Sequence, residues 1–243
     1  MRAKPAEGGG RVARIFVALL RIGFVILVAY PVVLVMLGLT IRHRARLPTK
    51  GPAVIAANHN SHLDTLALLT LFPLFRIPQV RPVAAADYFL GGGLKSWFSL
   101  NVVGIIPVMR RRIVPNEDPP RDEDPLADCY AALERGEILL IFPEGTRGEP
   151  EQMQSLKAGV SFIARRFPTV PIVPVFFYGL GRSMPKGTWY PLPVFVDVRV
   201  GPSLHWTGDK TVFMGHLRDA FERLAAPVRP KNQFDRRTEG NER

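Results

Sequence analysis

The segment NHNSHLD, residues 58–64, contains a histidine and an aspartate five positions apart. It follows an apolar stretch, AVIAA, and precedes a helical pattern, LALLTLF, so we predict a turn that joins a strand to a helix. Five positions along a regular helix amount to about 140° of rotation, so His59 and Asp64 cannot face each other within one helix. They can meet if His59 lies in the turn and Asp64 lies in the first turn of the helix.

A histidine and aspartate in contact would form a general base. The carboxylate fixes the tautomer of the imidazole and stabilises the imidazolium, while the other ring nitrogen takes a proton from an alcohol. The sequence has no G-x-S-x-G nucleophile motif, which favours activation of a substrate hydroxyl over a protein nucleophile. The alternative is that His59 is a buried or capping residue without a catalytic role.

A second segment, FPEGTR at residues 142–147, follows the apolar stretch EILLI. A turn with a glycine at the end of a strand presents backbone amides, and the planar guanidinium of Arg147 suits phosphate oxygens. We therefore predict that this turn binds an anion. Glu144 would orient Arg147 or accept a hydrogen bond from a substrate hydroxyl, and the alternative for it is a surface salt bridge.

The two segments, in this order and about 80 residues apart, resemble motifs I and III of the glycerolipid acyltransferase family. Residues 104–110, GIIPVMR, lie where that family has motif II, and residues 170–175, VPIVPV, resemble its motif IV. Lys157 and Gly159 stand where the family often has a lysine and a glycine after motif III. The resemblance covers about residues 51–180 of the chain.

This resemblance implies transfer of a fatty acyl chain from acyl-CoA or acyl-carrier protein to the sn-2 hydroxyl of 1-acylglycerol-3-phosphate. His59 would be the general base and Asp64 its orienting partner. The residues implied in acceptor binding are Glu144, Gly145, Thr146, Arg147 and Arg110. We expect no metal ion, because the sequence has no metal-ligand spacing, and no cofactor, because the acyl donor is a co-substrate. The expected partners are membrane lipids, the acyl donor and a lysophospholipid acceptor.

Three positions depart from the usual residues of the family. Pro107 and Met109 lie inside motif II, and Gly148 follows motif III where a serine or threonine is usual. These departures leave the acceptor open to a lyso-ornithine lipid, a glycolipid or another lysophospholipid. A basic membrane-binding protein without catalytic activity is an alternative of another class, and so is a thioesterase that uses water.

The elements that would position these motifs alternate between short apolar strands and helices, which predicts an α/β domain. We expect a mixed, largely parallel sheet flanked by helices, like that of glycerol-3-phosphate acyltransferase. The predicted strands are Ala53–Ala57, Val80–Ala84, Gly104–Val108, Glu137–Phe142, Pro171–Phe177 and Val194–Val200. The predicted helices are one opened by Asp124-Pro125, one over Leu156–Arg166, and one capped by Asp209 with Phe213, Leu217 and Leu224 inward.

The N-terminal part of the chain contains a run of 20 uncharged residues, 22–41, long enough to cross a hydrocarbon core of about 30 Å. Pro31 lies at its centre and favours a kink, which allows either a membrane helix or a helical hairpin. Arginines flank both ends of the run, so the charges leave its orientation open. We predict an anchor and basic segment over 1–50, an acyltransferase domain over 51–227 and a polar, disordered tail over 228–243.

The positive charge of the chain is concentrated before this domain. The net charge is +11, and residues 1–50 hold nine Lys or Arg against one acidic residue, Glu7. This distribution favours an anionic membrane surface over nucleic acid as the partner. We expect a membrane-associated protein whose catalytic domain is cytoplasmic, at the inner membrane in a bacterium. The only cysteine, Cys129, excludes an internal disulfide and is predicted to be a core residue.

Overall fold

A computed structural model describes residues 10–61, 63–89, 93–109, 124–146, 153–183 and 192–228. Seven strands form one sheet: β1 Leu37–Arg42, β2 Ala53–Ala57, β3 Val80–Ala85, β4 Ile106–Val108, β5 Ile138–Ile141, β6 Ile172–Tyr178 and β7 Val194–Val200. The strand order is β1-β7-β6-β2-β5-β3-β4. Every neighbouring pair is parallel except β6 and β7. This confirms the predicted mixed, largely parallel sheet.

The helices cover both faces of the sheet. They are α1 Arg11–Phe24, α2 Tyr30–Met36, α3 Asp64–Thr70, α4 Ala86–Phe89, α5 Gly93–Phe98, α6 Ala127–Glu134, α7 Gly159–Arg166 and α8 Lys210–Ala225. One core cluster lies between one face of the sheet and helices α2 and α3. A second lies between the opposite face and helices α6, α7 and α8. The central strand β2 is therefore fully buried along its length, which explains why it reads as a continuous apolar run.

The N-terminal helix, Arg11–Met36, consists of α1, a π-helical turn over Val25–Ala29, and α2. Pro31 lies in the first turn of α2. Proline lacks an N–H and its ring clashes with the carbonyl four residues earlier, and the preceding π turn accommodates both effects. The chain does not reverse within these residues, so the helical hairpin is not observed there.

The end of the apolar run is a strand, and the sequence-based prediction of a membrane segment to residue 41 is wrong at that point. The helix ends at Met36, and β1 pairs in parallel with β7 at the edge of the sheet. Apolar residues alternate along β1, with Leu37, Leu39 and Ile41 packed on the core. The sheet thus includes a strand that precedes the predicted domain boundary at residue 51.

One side of the N-terminal helix is part of the fold. Arg21, Val25, Ala29 and Val33 recur every fourth position and are buried. The Arg21 guanidinium donates hydrogen bonds to the carbonyls of Pro78, at 2.7 Å, and Val80. The exposed apolar residues of the helix are Val12, Ile15, Phe16, Leu19, Ile26, Leu27, Val28, Leu34 and Val35. In the described part of the chain, this is the one helix long and apolar enough to cross a membrane.

The later helices begin close to their predicted positions. Asp209 caps α8 by accepting a hydrogen bond from the Val212 N–H at 2.9 Å, as predicted. Helix α7 begins at Gly159, three residues after the predicted start. The segment before it hydrogen-bonds the turn after β5 instead: the Gln154 N–H donates to the Glu144 carboxylate and the Lys157 N–H to the Pro143 carbonyl. Cys129 lies in α6 and belongs to the core cluster on that face of the sheet, as predicted. Its burial raises the pKa of the thiol to about 12.

Candidate active site

The two motifs meet at one edge of the sheet. Strands β2 and β5 are parallel neighbours, with Ala56 paired to Ile141, so both end at the same edge. The turn after β2 carries His59, and the turn after β5 carries Glu144. In open α/β sheets, ligands bind outside the carboxyl ends of the strands, which is where these turns lie.

His59 and Asp64 are in direct contact. Asp64 is the first residue of α3, and its Oδ2 lies 2.7 Å from His59 Nδ1. The same oxygen accepts hydrogen bonds from the backbone N–H groups of Asn60, at 2.7 Å, and Ser61, at 2.9 Å. The turn therefore wraps around one carboxylate oxygen, which fixes both the aspartate and the imidazole that it holds.

Asp64 is completely buried, and burial raises the pKa of its carboxyl above the ordinary value of 3.8. The hydrogen bond from His59 and those from the two backbone N–H groups act in the opposite direction. Its second oxygen, Oδ1, is buried and has no hydrogen-bond partner in the described structure. Keeping this carboxylate buried therefore costs solvation free energy. Perturbed pKa values of this kind are common among groups that have a chemical role.

The imidazole of His59 is held in place but remains partly open to solvent. Its ring stacks on the ring of Phe142, with centroids 4.2 Å apart and planes at 20°. The side chain is 22% exposed. Asp64 binds Nδ1, and no described residue forms a hydrogen bond with Nε2. Nε2 is therefore the nitrogen available to a substrate proton.

Glu144 is buried and joins the two motifs through backbone hydrogen bonds. Its Oε1 accepts the N–H of His59 at 2.9 Å, and its Oε2 accepts the N–H of Gln154 at 2.8 Å. Burial raises the pKa of this carboxyl. It is not a surface residue, because it is only 1% exposed. In this geometry Glu144 holds the turn of His59, and its contact with the acceptor or with Arg147 stays a prediction.

The glycine of the second motif closes a tight turn. Gly145 has φ +71°, and its N–H donates to the Phe142 carbonyl at 3.0 Å. The side chain of Lys157 packs over it, and the Lys157 N–H bonds the Pro143 carbonyl. Gly145 and Thr146 are exposed at the edge of the sheet. Of the other predicted binding residues, Arg147 and Arg110 lie outside the described residues.

Asn58 is a site residue for which the sequence predicted no role. It is 1% exposed, its Nδ2 donates to the Phe177 carbonyl at 2.9 Å, and its Oδ1 accepts the Phe177 N–H at 2.7 Å. The side chain thus continues the pairing of β2 with β6 after the main chain has turned away. The signal was present, since an amide carries both a donor and an acceptor and this one directly follows a buried strand.

The described residues contain no group of three or more His, Cys, Asp or Glu that could hold a metal ion. What they do contain is an imidazole with one nitrogen fixed by a carboxylate and the other open, beside an exposed glycine turn. Such an arrangement can take a proton from a bound hydroxyl. Fold and site together define an α/β protein with an imidazole held by a buried carboxylate at the carboxyl edge of its sheet.

Comparison with known proteins gives the family. Residues 38–178, more than half of the chain, match the acyltransferase family, and the chain belongs to it. The structure is similar to the crystal structure of the 1-acyl-sn-glycerophosphate acyltransferase PlsC from Thermotoga maritima, with a TM-score of 0.65 and 18% identity. That alignment covers 90% of this chain and 83% of the other, which shows that the two share the fold.

Two relatives similar in sequence are named as 1-acyl-sn-glycerol-3-phosphate acyltransferases. The chloroplastic 1-acyl-sn-glycerol-3-phosphate acyltransferase LPAT1 of Arabidopsis thaliana is 30% identical over 137 residues, which are 56% of this chain and 35% of the plant protein. The 1-acyl-sn-glycerol-3-phosphate acyltransferase of Limnanthes douglasii is 25% identical over 206 residues, 82% of this chain and 68% of that protein. The chain thus spans about a third of the length of the Arabidopsis relative.

Proposed function

We propose that this acyltransferase moves a fatty acyl chain from acyl-CoA or acyl-carrier protein to the sn-2 hydroxyl of 1-acylglycerol-3-phosphate. The observation that carries the proposal is the contact between His59 and Asp64, at 2.7 Å, beside the turn of Glu144 and Gly145. The names of the relatives from Arabidopsis thaliana and Limnanthes douglasii support this acceptor. The product would be phosphatidic acid.

In the proposed reaction, His59 Nε2 takes the proton of the acceptor hydroxyl. The hydroxyl oxygen forms a bond with the thioester carbon, and the intermediate collapses by breaking the bond between carbon and sulfur. The departing thiolate then takes the proton from the imidazolium, so the free thiol of the donor and the new ester are the products. Asp64 stabilises the imidazolium while it carries that proton.

Acceptor binding is proposed for the exposed turn of the second motif. Gly145 and Thr146 are the described part of that turn, and Arg147 follows them directly in sequence. We propose that Arg147 and Arg110 bind the acceptor phosphate, because guanidinium groups match phosphate oxygens in geometry and charge. A phosphate held there would bring the glycerol hydroxyl towards His59 and lower the entropy cost of the attack.

The protein is also proposed to work at a membrane. The N-terminal helix is long enough to cross a bilayer, and one side of it exposes apolar residues to the surroundings. Both substrates of the proposed reaction carry acyl chains, so a surface that contacts lipid would give the acceptor a short route to the site. The proposed location is a membrane with the catalytic domain on its cytoplasmic side.

The experiment that tests this function uses purified full-length protein, isotope-labelled acyl-CoA and 1-acylglycerol-3-phosphate in mixed micelles. Mass spectrometry should find labelled phosphatidic acid, and thiol release should match its amount. Lysophosphatidylcholine, lyso-ornithine lipid and lysoglycolipid in parallel reactions define the acceptor. Labelled product on one of these in place of phosphatidic acid would overturn the acceptor, and free fatty acid without an acceptor would show a thioesterase.

A further inference from the structure

Helix α5 carries apolar side chains that the rest of the described chain leaves uncovered. Leu94 is 80% exposed and Trp97 is 47% exposed. They lie three positions apart and therefore project from the same side of the helix. Phe98 is also exposed in part, and its ring packs edge-on against Phe24, with centroids 5.5 Å apart. We name Leu94, Trp97 and Phe98 the α5 patch.

The α5 patch is continuous with the exposed side of the N-terminal helix. Phe24, which contacts Phe98, is the last residue of α1. Leu27 and Val28 lie one helical turn further on, and both are exposed. Leu34 and Val35 continue the exposed apolar side towards the end of α2. A single apolar surface therefore extends from the N-terminal helix across the pair of phenylalanines onto α5.

We propose that the α5 patch inserts into a lipid leaflet together with the exposed side of the N-terminal helix. This proposal rests on the proposed function, which gives the protein lipid substrates. The partner is a bilayer because the surface continues a 26-residue apolar helix that is long enough to cross one. Soluble monomers rarely expose a continuous apolar surface of this extent. Tryptophan suits this position, because tryptophan side chains are enriched at the boundary between lipid headgroups and acyl chains.

The position of α5 connects this contact to the candidate active site. Strand β3 ends at Ala85, and α4 and α5 follow it. Because β3 is parallel to β5, and β5 to β2, the end of β3 lies at the same edge of the sheet as His59. A leaflet that holds Leu94, at the start of α5, would therefore lie on the side of the molecule where the chain leaves this edge, while Phe98 at the end of α5 lies against α1. The catalytic domain would then contact the membrane through two elements.

The direct test uses Trp97 as a reporter of depth. Full-length protein is reconstituted into vesicles of phosphatidylcholine and phosphatidylglycerol whose acyl chains carry bromine, a quencher of tryptophan fluorescence. The chain has three tryptophans, so the Trp97→Phe variant isolates the contribution of this one. We expect quenching of the wild-type protein and a clear loss of that quenching in Trp97→Phe. Equal quenching of the two proteins would overturn the proposal.

A second test measures binding with a matched pair of variants. Leu94→Glu places a charge in the α5 patch, whereas Phe195→Glu places the same charge at a residue that is 92% exposed. Phe195 projects from the opposite face of the sheet, because its neighbour Val196 packs in the core cluster of the N-terminal helix. In vesicle co-sedimentation, Leu94→Glu should lower the bound fraction about tenfold relative to Phe195→Glu. Equal binding would contradict the proposal.

Acyl transfer in detergent micelles, where no bilayer is needed, separates this inference from the proposed function. Activity in micelles without quenching of Trp97 in vesicles would defeat the inference alone. Quenching of Trp97 without acyl transfer to any lysolipid would defeat the proposed function alone. If Leu94→Glu fails to fold, as circular dichroism would show, the comparison with Trp97→Phe still decides.

Discussion

The backbone N–H of His59 donates a hydrogen bond to Oε1 of Glu144 at 2.9 Å, although 85 positions separate the two residues in sequence. The other oxygen of the same carboxylate holds the N–H of Gln154. Glu144 therefore positions the main chain of the candidate base and the segment after its own turn at the same time. A change at Glu144 should act on turnover through His59.

We expect Glu144→Gln to lower kcat by about tenfold to a hundredfold, because small displacements of catalytic groups are costly. A glutamine offers one acceptor oxygen, so one of the two backbone N–H groups would face an NH2 group. Leaving a buried donor unpaired also costs about 1–3 kcal/mol of unfolding free energy. Steady-state kinetics and chemical denaturation measure the two effects. A raised acceptor KM with unchanged kcat would instead favour the acceptor contact that the sequence predicted.

The control for this variant is Glu134→Gln on α6. Glu134 is exposed, so the same chemical change there should alter the free energy of unfolding by less than about 0.5 kcal/mol. Its kcat should equal that of the wild type. A comparable loss in both variants would mean that the effect of Glu144→Gln does not arise from the site.

For the candidate base, we expect His59→Ala to lower kcat by about 10²–10⁴-fold, the usual contribution of a general base. Acceptor binding, measured by calorimetry with lysophosphatidic acid, should change little, because in the proposed reaction Nε2 meets the hydroxyl and the arginines bind the phosphate. His205→Ala is the matched control, since His205 is exposed and lies outside both motifs. Wild-type turnover in His59→Ala would remove this histidine from the mechanism.

Asp64 leads to a prediction about pH and stability. Burial raises the pKa of its carboxyl above 3.8 in the folded chain, so the folded state holds that proton more tightly than the unfolded state. The resulting stabilisation is complete below pH 3.8 and is lost as the pH rises through the raised pKa of the folded state. Asp64→Asn removes this titration. Its unfolding free energy should therefore fall less than that of the wild type over the same rise in pH.

Denaturation with urea at a series of pH values measures this difference. Turnover of Asp64→Asn should fall by about 10³-fold or more, because an amide cannot stabilise the imidazolium as a carboxylate does. A variant that keeps both its activity and the wild-type pH dependence of stability would show that Asp64 does not interact with His59 as the structure indicates.

Local sequence order was enough to predict the contact of His59 with Asp64, because both lie within one turn and the helix start that follows it. The bonds from Glu144 to His59 and from Asn58 to Phe177 join residues 85 and 119 positions apart. No local pattern carries that information, since it depends on which strands become neighbours in the sheet. Those two anchors of the turn that carries His59 were therefore found only in the structure.

Strand β1 shows a different limit of sequence reasoning. Leu37–Arg42 continues an apolar run, and its composition alone does not separate a membrane helix from an edge strand. What decides is pairing with β7, whose residues are more than 150 positions away, as in the pair of Leu37 with Val194. The alternation of apolar residues along β1 was a weak signal for it.

Asn58 gives a prediction that concerns the other anchor of the turn. Asn58→Ala removes both hydrogen bonds to Phe177 and leaves its buried N–H unpaired, at about 1–3 kcal/mol, while its carbonyl keeps a hydrogen bond from Asn60 Nδ2 at 3.5 Å. Asn58→Asp keeps the acceptor for the Phe177 N–H but sets a buried carboxylate oxygen against the Phe177 carbonyl, so we expect a loss of stability at least as large and a similar loss of kcat. Denaturation and steady-state kinetics measure both.

Asn101→Ala is the control for Asn58. The Asn101 side chain donates one hydrogen bond to the Trp97 carbonyl at an exposed position, so its removal should cost less than about 1 kcal/mol. Its effect on kcat should be small. If Asn58→Ala resembled this control in both measurements, the link between β2 and β6 would not position the turn that carries His59.

Gly145 and Gly215 form the last comparison. The backbone of the turn requires a glycine at position 145, whereas the helix around position 215 does not. Gly145 has φ +71°, and a Cβ there would lie 3.3 Å from the Lys157 side chain. Gly145→Ala should therefore lower the unfolding free energy by about 1–2 kcal/mol, the cost of left-handed backbone in an L-residue. Gly215 lies inside α8 with nothing within 4 Å of a Cβ, so Gly215→Ala should raise the unfolding free energy by about 0.5–1 kcal/mol.

Because Gly145 also shapes the exposed turn proposed for the acceptor, Gly145→Ala should raise the acceptor KM, while Gly215→Ala leaves KM unchanged. Equal KM values for the two variants would place the acceptor phosphate away from this turn, since strain at Gly145 must move the backbone that carries it.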